Sequence, residues 1–180
     1  MNVSALIRSI FSFLFLALTI SLQAQESRQV NQASVSFFIK NAGIEVDGSM
    51  KGFSATIRFS PDALATSFIN AELQATTLNT GISSRDEHLK NKDYFNVAQY
   101  PKIVMESTGF RASGEGFIGT FRLTMKGTTR VVELPFRVTK SGGGSVFQGT
   151  FTIDRLDYGI GESSWILSDE VRIEVRVEAR

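Results

Sequence analysis

His88 is the only histidine in a chain of 180 residues that contains no cysteine. Acid–base chemistry near neutral pH falls first to that imidazole, because no other side chain has an unperturbed pKa between pH 5 and 8. Ser84, Arg85, Asp86 and Glu87 precede it. A general base needs a carboxylate to orient it and a nucleophile or substrate within hydrogen-bond reach. Residues one or two apart on a helix do not face each other, so Asp86 and Glu87 are badly placed for that task; Ser84, one turn away, is nearer. With one histidine and no cysteine, the usual zinc ligand sets cannot be assembled. The chain also lacks a phosphate-binding loop, a dinucleotide fingerprint and a G-x-S-x-G elbow. The expectation is no metal, no cofactor and no catalytic residue. His88 reads as a helix histidine that bonds locally or lines a cavity mouth, with acid–base catalysis as the alternative.

The elements that would position it are strands. Segments 34–40, 53–60, 66–78, 102–111, 116–126, 130–139, 145–153 and 170–178 alternate apolar and polar residues or are rich in β-branched ones. Phe53, Ala55, Ile57 and Phe59 point one way, and Ser54, Thr56 and Arg58 the other. Successive strand side chains face opposite sides, so each segment offers one apolar and one wet face. Glycines punctuate the joints, with Gly114, Gly127 and Gly142-Gly143-Gly144 between strands four and seven. They supply the positive φ that tight hairpins require. The pattern predicts an all-β protein, an antiparallel barrel or sandwich whose fourth to seventh strands form a meander. Two intervals break the alternation. Between Thr80 and Tyr100, Ser84 and Glu87 have capping-box spacing, which predicts one short helix over 85–92, between strands three and four. Between Leu156 and Ser168 lie Gly159, Gly161 and the only tryptophan, Trp165. Loops of that length in a compact domain often carry function.

A barrel of about eight strands has an interior that side chains fill or that holds one small ligand. The inward faces supply Phe37, Ile39, Phe53, Ile57, Phe59, Ile69, Leu73, Phe117, Phe121, Leu123, Leu134, Phe136, Phe151 and Ile173. Small residues interrupt them, among them Ala55, Ala71, Gly119 and Gly149. These leave volume that large neighbours fill or that a guest occupies. Inward polar residues are few, so a guest would be hydrophobic. A filled barrel serving as a structural or interaction module is the other reading of the same face.

The first 24 residues have the three parts of a secretory signal peptide: Arg8, the apolar run Ile10–Ile20, and the small Ala24 at a cleavage point. The run is too short to span ~30 Å of hydrocarbon. Removal of residues 1–24 leaves one domain, 25–180, in the periplasm or secreted. It takes away one of the 19 basic residues, so 18 face the 18 acidic ones. Nucleic-acid binders carry a basic excess or stripe; none is present, and nucleic acid is excluded as a partner. Without cysteine the domain must be held by its core alone.

Ser34–Lys40, Gly52–Ile57, Arg85-Asp86-Glu87-His88-Leu89-Lys90, Asp93-Tyr94-Phe95 and Tyr100-Pro101 resemble the YceI-like family of bacterial lipid- and polyisoprenoid-binding proteins. The resemblance continues in order through Leu123–Thr129, Asp157-Tyr158-Gly159-Ile160-Gly161 and Asp169-Glu170-Val171. It implies a lipocalin-like antiparallel barrel of eight strands whose lumen holds an isoprenoid or other long-chain lipid, in an exported protein. A homodimer and transient contact with a membrane are compatible with that reading. Residues 41–50 depart from the family's histidine-containing turn, and Asp154 stands where many members have asparagine. The lipid tail is expected among the inward aromatic and aliphatic residues, Ala71 included. The head group is expected at the open end, where Arg85, His88 and Trp165 are the candidates. The rival is an enzyme acting on a lipid through His88.

Overall fold

A computed structural model describes residues 27–180. The expected signal peptide and its cleavage point lie outside the described residues. Nine strands follow in order: β1 (Val30–Asn41), β2 (Ile44–Met50), β3 (Ser54–Arg58), β4 (Phe68–Gln74), β5 (Lys102–Ser113), β6 (Gly116–Met125), β7 (Thr128–Ser141), β8 (Gly144–Asp154) and β9 (Leu167–Ala179). One helix, α1 (Ser83–Lys90), lies between β4 and β5. Among the described residues no helix is long and apolar enough to cross a membrane.

All pairings are antiparallel, in the order β2-β1-β9-β8-β7-β6-β5-β4-β3. The two edge strands, β2 and β3, are consecutive in sequence. Lys51-Gly52-Phe53 carries the chain from one edge to the other, so the sheet curls on itself. Gly52 has φ +72°, and a Cβ there would lie 2.5 Å from Gln74 Cγ, so the step accepts no side chain. Two bridges tie the seam: the Arg28 N–H donates to Ile57 O at 2.8 Å, and Ser49 and Asn79 exchange backbone hydrogen bonds at 2.8 and 3.0 Å.

The expected antiparallel barrel and meander are present, with nine strands in place of eight. The extra one is β2, in the segment 41–50 that the sequence leaves without a strand. Its apolar positions Ile44, Val46 and Met50 do alternate with Glu45, Asp47 and Ser49. Asp47 and Gly48, both poor strand formers, hide the pattern. The turn before it is hidden too, because a two-residue hairpin with φ > 0 at both centres favours Asn-Gly or Asp-Gly. Here Ala42 takes φ 51° ahead of Gly43 at φ 80°. Lys126-Gly127 and Gly142-Gly143 turn in the same way after β6 and β7.

The helix occupies Ser83–Lys90 rather than 85–92, and no capping box forms, since its N-cap, Ile82, makes no side-chain bond. The nearly buried Asp86 anchors the turn instead. Its Oδ1 accepts from the Thr80 hydroxyl at 2.6 Å and the Thr80 N–H at 2.8 Å. The Thr80 hydroxyl holds the Asp86 carboxyl below the usual carboxylate range against the opposing effect of burial; the Thr80 N–H, Lys90 and Arg85 assist.

Candidate functional site

The inward residues of the strands divide by height along the barrel. At the end formed by the last residues of β3 and β5 and the first of β6 and β8, they pack solid. Phe59 is the hub, with ring centroids 5.0 Å from Phe117, 5.3 Å from Phe110, 5.4 Å from Phe136 and 5.8 Å from Phe147, all edge-on. That is the preferred arrangement of aromatic quadrupoles. Arg28 closes over this floor, donating to the Ser145 hydroxyl and, at 3.4 Å, to Phe59 O.

Above the floor is a cavity of about 370 Å3, within the range of small-molecule sites, roughly 300–1,000 Å3. Thirteen of the fifteen expected lumen residues line it: Phe37, Ile39, Phe53, Ile57, Ile69, Ala71, Leu73, Phe121, Leu123, Leu134, Phe136, Phe151 and Ile173. Phe59 and Phe117 do not, because they belong to the floor. Alternation in sequence tells inside from outside but not height along the barrel. The wall also includes Val46 and Met50 of the missed strand, and Leu89, Tyr94 and Phe95 around α1.

The two irregular intervals meet at the other end. Gly161 N–H donates to Asp93 O at 2.9 Å, and Lys126 Nζ reaches Gly159 O. Arg155, on the cavity wall yet 3% exposed, sews this cover together. It donates to Ser168 O at 3.0 Å, Ile160 O at 2.9 Å, Glu162 O at 2.8 Å and Asp169 Oδ1 at 2.7 Å. A loop arginine is ordinarily solvated, and in the sequence only the family resemblance of the adjoining Asp157–Gly161 points to this neighbourhood.

Of the three expected mouth residues, Arg85 and His88 do line the cavity. Arg85 donates through Nε to Thr80 Oγ1 at 2.7 Å and through Nη2 to Thr80 O at 2.8 Å. Its Nη1 has no partner among the described residues and remains available to an acceptor. The His88 ring leans on Tyr94, with centroids 4.9 Å apart. It has no carboxylate or hydroxyl partner among the described residues. Trp165, the third, does not line the cavity: at 105% relative exposure it stands in solvent beside Ile166. No cluster of three potential metal ligands occurs among the described residues. The lining cations are Arg85 and Arg155, both at the end opposite the floor, and Arg155 is spent on its own loop.

An antiparallel barrel with a packed aromatic floor and an apolar cavity opening toward a helix is a lipocalin-like barrel. The chain belongs to the YceI-like domain family, whose model matches residues 28–179. A UPF0312 protein of Yersinia pestis is 28% identical over 158 residues, covering 84% of this chain and 82% of that protein. Among solved structures, Burkholderia cenocepacia BcnA superposes with a TM-score of 0.78 at 27% identity, covering 82% of this chain and 96% of that one. The Campylobacter jejuni YCEI protein gives 0.66 at 26% identity over 74% and 83%. A polyisoprenoid binding domain from Saccharophagus degradans, 15% identical, shares the fold with a TM-score of 0.66 over 86% and 97%.

Proposed function

We propose that the protein is an exported binding protein that carries, stores or sequesters one isoprenoid or similar long-chain amphiphile, with its tail in the lumen. The observation that carries this reading is the cavity itself: a dead-ended, carbon-lined pocket whose one uncommitted cation, Arg85, sits at the mouth end. Each buried CH2 contributes ~0.8 kcal/mol, so a few isoprene units bind with little polar recognition. Arg85 Nη1 and His88 then meet a polar head. The fold shared with a polyisoprenoid binding domain agrees with such a guest. Binding rather than catalysis is the favoured reading, since among the described residues His88 has neither an orienting carboxylate nor a nucleophile. Native mass spectrometry of protein purified from its own host's envelope tests this. The expected result is a chain starting near Gln25 that carries one non-covalent lipid adduct. Protein that is adduct-free in every preparation would overturn the reading.

A further inference from the structure

Five large apolar side chains stand exposed among the described residues, and four of them lie in segments that adjoin cavity-lining residues at the end opposite the floor: Ile44 at 71%, Ile82 at 51%, Trp165 at 105% and Ile166 at 64%. They come from three separate segments. Ile44 opens β2 and pairs in register with Asn41, a lumen-lining residue. The Ala42 N–H donates to Ile166 O at 2.6 Å, strapping that hairpin to the loop that carries Trp165. Ile166 adjoins Leu167, which also lines the lumen. On the α1 side, Ile82 lies between Thr80 and Arg85, two more lining residues.

We propose that this collar seats the protein mouth-down on the surface of a lipid bilayer, so that a lipid passes between membrane and lumen without crossing water. The inference rests on the proposed function for its purpose, and on the collar's continuity with the lumen wall for its occupant. A surface contiguous with an apolar cavity matches the phase in which an apolar guest dissolves. Trp is favoured at the membrane–water interface, where an apolar ring and a polar N–H are both satisfied. Charges of both signs flank the collar: Lys40 and Glu45 beside Ile44, Arg85 and the exposed Glu87 after Ile82, and Glu162 before Trp165. Attachment therefore comes from shallow apolar insertion rather than attraction to anionic lipid.

Trp165 is the only tryptophan in the chain, so intrinsic fluorescence reads the collar directly. The mature protein is mixed with phosphatidylcholine vesicles and followed by flotation and emission wavelength, at low and high salt. The expected result is co-flotation with a blue shift, little changed by salt. It should weaken about tenfold in Ile44→Ser/Ile166→Ser and persist in Val131→Ser, whose exposed apolar residue lies outside the collar. A lumen-blocked Ala71→Phe variant should still float, which separates this proposal from the binding function. Failure to float, flotation abolished by salt, or a blue shift that grows with protein concentration without vesicles would overturn it. The last outcome would make the collar a contact between two copies of the chain.

Discussion

His88 and Tyr158 show opposite uses of a titratable ring. The His88 imidazole lies at the mouth against Tyr94, with no carboxylate among the described residues to orient it for proton transfer. His88→Ala should keep the fold and change lipid affinity only a few-fold, as measured by titration with a fluorescent fatty acid. Loss of a measurable conversion of bound lipid in that variant would instead reveal an enzyme. Tyr158 is 2% exposed and its hydroxyl has no partner among the described residues. Burial, with Asp157 adding to it, pushes its pKa up to about 12. A phenol whose folded pKa lies above its unfolded value near 10 leaves the stability of the fold undiminished below that value, because it is protonated in both states. Stability falls as pH rises from about 10 to about 12, since the unfolded chain ionises first. Tyr158→Phe should therefore be neutral or more stable by up to about 1 kcal/mol at pH 7. Its alkaline unfolding curve should lose this component, as followed by circular dichroism.

Among the elements, the strands were legible and the covers were not. In β6 the alternation set Phe121, Leu123 and Met125 inward, and they are buried, while Arg122 faces out to Glu106 at 3.2 Å. Register with neighbouring strands enforces that phase, since a slip of one residue would turn every side chain over. β2 escaped because Asp47, Gly48 and the Ala42-Gly43 turn are weak local signals that pairing with β1 overrides. Periodicity says nothing about loops, which is why sequence position alone pointed to Trp165 for the open end and nothing pointed to Arg155. Arg155 predicts how the cover is held. Arg155→Ala leaves three carbonyls and the Asp169 carboxylate without their donor. It should cost at least about 3 kcal/mol in denaturant unfolding. Protection of residues 155–168 should also fall in hydrogen exchange. A loss below about 1 kcal/mol would show that the loop holds itself.

At the scale of the molecule, one apolar interior does two jobs. The phenylalanine floor supplies the packed core that a chain without disulfides requires, and the open half above it supplies a cavity. The sequence left a lumen and a filled core as alternatives, and the two ends of the barrel have one character each. Ala71 decides between them at the height that matters, since it lines the cavity between Ala55 and Met105 of the flanking strands. The direct measurement is melting temperature paired with bound-lipid stoichiometry for Ala71→Phe, with outward-facing Thr120→Ala as the control. If the cavity holds the lipid, the new ring takes the tail's place, stoichiometry falls steeply, and the lipid-free protein melts close to wild type. If the interior is filled instead, overpacking should cost ~1–3 kcal/mol of stability with lipid content unchanged, which would contradict the account.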